Sequence, residues 1–175
     1  MLIQDGTGSN QSAQVVDNKV AVTSRSNNRL FYMSKDRQDA YSWQNVTYDY
    51  AAADTILLVK NTDSRALYIQ EVAFSGDTAT EVVIHCPSPV TTPTGTAVTG
   101  VNLNRQSAKV ALATAIANET TNTLANAIKR SFMLASTDNR ILFDGAVVLG
   151  QNQSIAVDFV ANGGAALVTI TGWFE

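Results

Sequence analysis

From Tyr41 onward, apolar residues fall at alternate positions in one short run after another, and Gly, Asn, Asp, Ser, Thr and Pro separate the runs. Successive side chains of an extended strand point to opposite faces, so this period of two marks strands that bury one face. "YSWQNVT" sets Tyr41, Trp43 and Asn45 against Ser42, Gln44 and Val46. "DTILLVKNT" is a more continuous apolar run, "RALYIQEVAFSG" imperfectly alternates Leu67, Ile69 and Ala73 against Tyr68, Gln70 and Phe74, and "ATEVVIHC" follows. Asn61-Thr62-Asp63-Ser64, between the second and third runs, has the composition of a hairpin loop. Pro87, Pro89 and Pro93 forbid a central strand, which makes "PSPVTTPTGT" the longest loop.

Alanine favours helix, yet in "SAKVALATAIAN" Val110, Leu112, Thr114 and Ile116 alternate with the alanines, and the alternation predicts a strand. Ile128 lies one helical turn beyond Leu124, which predicts a short helix around residues 124–129. The last stretch, from Ile141 to Glu175, reads as three strands divided by Gly150-Gln151-Asn152 and Asn162-Gly163-Gly164; Asn-Gly is a strong hairpin signal. Ahead of Tyr41, "SAQVVDNKVAVTSR" alternates on both sides of Asp17-Asn18, two residue types that tolerate a tight turn, and predicts a small β-hairpin. Residues 26–40 are open between a short helical turn and an irregular link. Many short strands with turn chemistry between them predict an all-β chain: an antiparallel β-sandwich or jelly roll over residues 41–175, preceded by an N-terminal arm with a hairpin over residues 1–40.

Composition narrows the partners. A chain of 175 residues is long enough to bury about 70% of its unfolded surface as one domain. Charged residues are 15% of it, against roughly 25% in an ordinary soluble domain. A neutral polar surface can be buried against a partner without stripping many full charges of water, which favours an assembly protein. The net charge is −3, and Arg25, Arg29, Lys35 and Arg37 are diluted by Asp36 and Asp39, so no basic stripe for nucleic acid is expected. No apolar run reaches a membrane span, and the first residues lack a basic start and apolar core, so neither a membrane partner nor a signal peptide is expected.

Candidate chemistry is sparse. Cys86 has no second cysteine, and His85 is the single histidine, so a disulfide, a Cys or His metal cage and a redox pair are not expected, and both residues read as structural. "DGTGSNQSA" is glycine-rich, but it has no Lys, no preceding strand and no following helix, so it is not a phosphate-binding loop. Asp5, Thr7 and Ser9 alternate as oxygen ligands of calcium do, without the further acids such a loop requires. Scattered Asp and Glu residues show no catalytic pairing. No cofactor and no enzymatic activity are expected. Tyr41, Trp43, Tyr48 and Tyr50, beside Gln44, Asn45 and Asp49, could stack on a sugar; alternate ring positions favour instead a core or subunit-interface strand.

Asp5-Gly6-Thr7-Gly8, continued by Ser9 and the hairpin, resembles an N-terminal pattern of accessory virion proteins of tailed bacteriophages. "VNLNRQSAKVALA" and the strand-rich end through "GWFE" are similar to the β-domains of the same proteins. The resemblance implies a head decoration or cement protein, or a related head-fibre or tail component: a β-sandwich, usually a homotrimer, on the capsid surface of the virion after synthesis in the host cytoplasm. Its partner would be the major capsid protein or another virion protein, with Asp5, Gly6, Thr7, Gly8 and Ser9 as the capsid-contact arm. The alternative from the aromatic cluster is a glycan- or receptor-binding module of a tail fibre or adhesin.

Overall fold

The computed structural model describes residues 2–4, 12–16, 19–21, 29–45, 48–50, 55–86, 95–119, 124–161 and 164–175. Strands β1 (Leu2–Gln4), β2 (Ser12–Val16) and β3 (Lys19–Ala21) form a three-stranded antiparallel sheet. Val16 stands opposite Lys19, so the paired strands bracket residues 17 and 18 as the turn chemistry predicts. The turn itself, and Asp5 to Ser9, lie outside the described residues.

Of the segment open at residues 26–40, residues 29–37 are helical and residues 26–28 lie outside the described residues. Helix α1 (Arg29–Tyr32) runs on in wider π-type turns over Met33–Arg37 and stops at Gln38, whose φ of 59° is left-handed. The Asp39 amide then donates to the Met33 carbonyl at 2.9 Å. Met33 is buried with Ala40 and Trp173, so this helical segment packs on the strands that follow.

Two antiparallel six-stranded sheets enclose one apolar core. The first contains β4 (Ala40–Gln44), β5 (Tyr48–Tyr50), β7 (Leu67–Gly76), β10 (Val101–Asn102), β13 (Asn139–Leu149) and β15 (Gly164–Phe174). Its order is β10-β4-β15-β7-β13, with β5 beside β15. The second contains β6 (Thr55–Asn61), β8 (Thr80–His85), β9 (Thr96–Val98), β11 (Ala113–Glu119), β12 (Ala127–Met133) and β14 (Ser154–Phe159), in the order β12-β8-β14-β6-β11-β9. The expected all-β sandwich is present. With β5, β9, β10 and β11 set aside, eight strands pair first with last: β4 with β15, β6 with β14, β7 with β13 and β8 with β12.

Alternation places the core. Val168, Ile170 and Phe174 of β15 face inward with Val72, Phe74 and Leu67 of β7, against Ile56, Val82, Ile84 and Val157 of the second sheet. The imperfect alternation of "LYIQEVAFSG" is a bulge. Ile69 is opposite Gly172 and Glu71 opposite Thr171, so Gln70 is the extra residue and the phase shifts. Phe74 is therefore inside and Ala73 outside, the reverse of the expected order. Across the sheet Asp144 and Gly145, with φ of 49° and 80°, swing out of β13 to meet the bulge, and Gln70 Nε2 donates to Asp144 Oδ1 at 2.6 Å. Gly145 is required there: a Cβ would lie 2.7 Å from Trp173 Cη2, and the positive φ already disfavours a side chain.

Three expectations are corrected. Residues 61–64 are not a hairpin loop: β6 and β7 belong to different sheets, and the segment is a corner between them. Asn162-Gly163-Gly164 likewise does not divide a hairpin, because β14 and β15 belong to different sheets; residues 162 and 163 themselves lie outside the described residues. No helix forms over residues 124–129, because Ala127 to Met133 finds hydrogen-bond partners along β8, and that pairing outweighs the local spacing of Leu124 and Ile128.

A break in β4–β5 shows how the sheet edge stays satisfied. Asn45 sits between the two strands and its buried side chain does the work of a ladder: Nδ2 donates to the Ala166 carbonyl at 3.0 Å, and Oδ1 accepts from the Val168 amide at 2.5 Å.

Candidate functional site

Tyr41 and Trp43 are core rings, 1% and 0% exposed. They alternate inward on β4, with Tyr41 edge-on to Phe174 at 5.7 Å and tilted to Trp43 at 6.1 Å. As exposed interface or glycan-stacking residues they are corrected: reaching them would open the sandwich. Tyr48 and Tyr50 lie on β5, opposite Ala166 and Gly164; their side chains lie outside the described residues.

The Tyr41 hydroxyl reaches a polar cluster of buried acids and half-exposed cations. It donates to the Val110 carbonyl at 3.2 Å and lies 3.5 Å from Asp39 Oδ1. Burial first, and then the Asp39 charge, push its pKa up to about 12. Asp39 is itself buried and receives Lys109 Nζ at 2.8 Å and Arg65 at 3.2 Å. Arg65 also holds Asp63 at 2.6 Å, and that hydrogen bond keeps the Asp63 carboxyl below its ordinary range. These bonds tie the root of β4 to the β6–β7 corner and to the segment before β11. Every acid in the cluster has its cation, so the geometry is that of a brace.

His85 and Asp158 form a second pair that sequence reasoning treated as unrelated. His85 Nδ1 lies 3.1 Å from the Ala125 carbonyl, an acceptor only, so Nδ1 carries the proton. Nε2 faces Asp158 Oδ2 at 3.5 Å, and Arg130 pairs with Glu81 beside them at 3.0 Å. Burial raises the Asp158 pKa against the opposing pull of His85, and burial also raises the Cys86 thiol. The fold therefore disfavours the ionised Asp158, a penalty present at alkaline pH and relieved as pH falls toward the ordinary carboxylate range. Asp158→Asn should raise the urea midpoint at pH 8, and the gain should shrink toward pH ~4, in the ordinary carboxylate range. An equal gain at both pH values would show that the carboxylate charge is not the cause.

No group of three or more His, Cys, Asp or Glu converges among the described residues. What the structure does present is a broad surface. On the outer face of the first sheet the register lines up Gln44, Thr169, Ala73 and Arg140 in one row and Ser42, Thr171, Glu71 and Leu142 in the next. Its charges are internally paired, Arg140 with Glu71 at 3.5 Å. A cleft of about 370 Å³ opens on this face between Ser75, Leu167, Thr169 and Arg140. Such a face offers hydroxyls, amides and small apolar groups to a flat partner, which is the neutral surface that the low charge content predicts. The alternation of β4, β7 and β15 carried this signal, but only the register aligns the rows. In comparisons with known proteins, no family model, curated protein or solved structure matches the chain.

Proposed function

We propose that this chain is a non-enzymatic structural protein of a bacteriophage virion, a capsid decoration or cement protein built as a jelly roll with an N-terminal arm. The pairing of first strand with last, second with seventh, third with sixth and fourth with fifth carries the reading. It is a long antiparallel hairpin rolled into two sheets, the architecture of viral capsid domains among others. The neutral outer face of the first sheet supports it as well, because it can be dehydrated against a capsid at little electrostatic cost.

In this reading binding is the whole mechanism. The arm, with Asp5, Gly6, Thr7, Gly8 and Ser9, and the β-domain lie across capsid subunits, and apolar burial contributes about 25 cal/mol per Å². The surplus left after the arm is ordered resists rupture of the head. Phage heads assembled without this chain should co-sediment with it, and a chain lacking residues 1–24 should lose at least about 100-fold in affinity, or nearly 3 kcal/mol, while keeping its thermal transition. Full binding by the truncated chain would remove the arm from the mechanism. Failure of the intact chain to bind heads would overturn the reading.

A further inference from the structure

The brace around Asp39 has an outward side. A cavity of about 280 Å³ opens there between the helical segment, the end of β15 and the β6–β7 corner, and three guanidiniums line it: Arg29, Arg37 and Arg65. Two of them are held in place. Arg29 is bidentate to the Glu175 carboxylate and lies over the Tyr32 ring at 5.2 Å. Arg65 is bound to Asp63 and Asp39 and lies over the Phe174 ring at 5.5 Å. Arg37 closes the π-type turns, and its guanidinium has no carboxylate partner among the described residues. Turns of this type are rare and recur at functional sites.

We propose that this cavity binds a small organic oxyanion, a carboxylate or a phosphate monoester, with Arg37 as its principal charge partner. Burial sorts the charges by sign. The Asp39 and Asp63 side chains are 8% and 7% exposed, against 43% for Arg65 and 51% for Lys109, so the carboxylates lie inward and the cations meet solvent. A solute entering the cavity therefore meets positive charge first. Among the lining side chains three arginines stand against two acids, Asp39 and Glu175, an excess of one positive charge. A guanidinium carries five N–H donors in a planar fork that matches a carboxylate or phosphate. Arg29 spends only Nε and Nη2 on Glu175, and Arg37 spends none on a carboxylate, so donors remain for an added oxyanion. Tyr32, Met33 and Phe174 in the same lining give an apolar remainder of the ligand something to pack on. The inference stands apart from the virion reading, because binding is measured on the free chain with no capsid present.

The test is calorimetric titration of the full chain with phenyl phosphate, benzoate and inorganic phosphate, with sodium chloride at matched ionic strength as the blank. Phenyl phosphate or benzoate should saturate a single site per chain and raise the melting temperature, and sodium chloride should do neither. The tighter of the two identifies the headgroup. Inorganic phosphate, which has no apolar remainder, should bind more weakly than that aryl anion. Arg37→Gln should weaken the binding at least about 10-fold, the loss of one charge-assisted contact, without moving the melting temperature of the unliganded chain. Arg140→Gln, on the outer face of the first sheet, should bind as the wild type does. No saturable binding of either aryl anion, full binding by Arg37→Gln, an equal loss in Arg140→Gln, or inorganic phosphate bound as tightly as the aryl anions would each overturn the inference.

Discussion

Replacing Asn61 with leucine should destabilise the fold by about 3–5 kcal/mol, because two buried backbone groups and one part-buried carbonyl lose their partner at once. The Asn61 side chain has no exposed surface; Nδ2 donates to the Arg65 carbonyl at 2.8 Å and to the Leu149 carbonyl at 2.9 Å, and Oδ1 accepts from the Asp63 amide at 2.8 Å. Its own backbone binds the β13–β14 turn, donating to the Gln153 carbonyl at 2.9 Å and accepting from the Asn152 amide at 2.8 Å. Asn61 thus fastens the end of β6, the corner into β7 and the end of β13. Leucine keeps the branched outline but has no donor or acceptor and is larger, so the loss combines the missing hydrogen bonds with overpacking at a site that has no free space. The denaturant midpoint should fall with an unchanged m value. A loss below about 1 kcal/mol would mean that the freed groups find other partners.

Trp43→Ala should cost a similar amount by a different route. Its indole is wholly buried, with the Gly100 backbone so close that a Cβ there would meet Nε1 at 2.4 Å. Truncation leaves a cavity the backbone cannot fill, at about 3–5 kcal/mol, which for a chain of this length lowers the melting temperature by roughly 6–20 °C. Trp43→Phe should cost less than half of that. The indole N–H makes no hydrogen bond among the described residues, so phenylalanine gives up only volume. Equal losses in the two variants would point to a role for the indole ring beyond filling space.

The strands were legible in the sequence because their period of two is imposed locally by the core they face. Tyr41 and Trp43 alternate with Ser42 and Gln44, and the structure puts both rings inside. The sheet to which each strand belongs was not legible. Asn61 to Ser64 has the chemistry to reverse the chain, but whether the reversed strand pairs with its predecessor or crosses the core depends on β15, about a hundred residues away, which takes the place beside β7. The helix expected around Ile128 failed for the same reason: its spacing is a local preference, and an open edge of β8 answered it with hydrogen bonds. The bulge at Gln70 was visible as a fault in alternation, yet its cause, the swing of Asp144 and Gly145, lies on another strand. His85 and Asp158 gave no signal, since β8 and β14 meet only through the fold.

The pairing of first strand with last also sets the order in which the molecule can be made. β15 lies between β4 and β7 in the first sheet, and it is the latest of the sandwich strands in sequence. A ribosome therefore releases Tyr41 and Trp43 long before the strand that covers them exists. Until then the nascent chain holds an unfinished sheet with its ring residues in water, the kind of species on which chaperones act. Contacts this distant in sequence also make folding slow, in the range of milliseconds to seconds for β-sandwiches. Acquisition of the native state in that sense waits on the arrival of one strand.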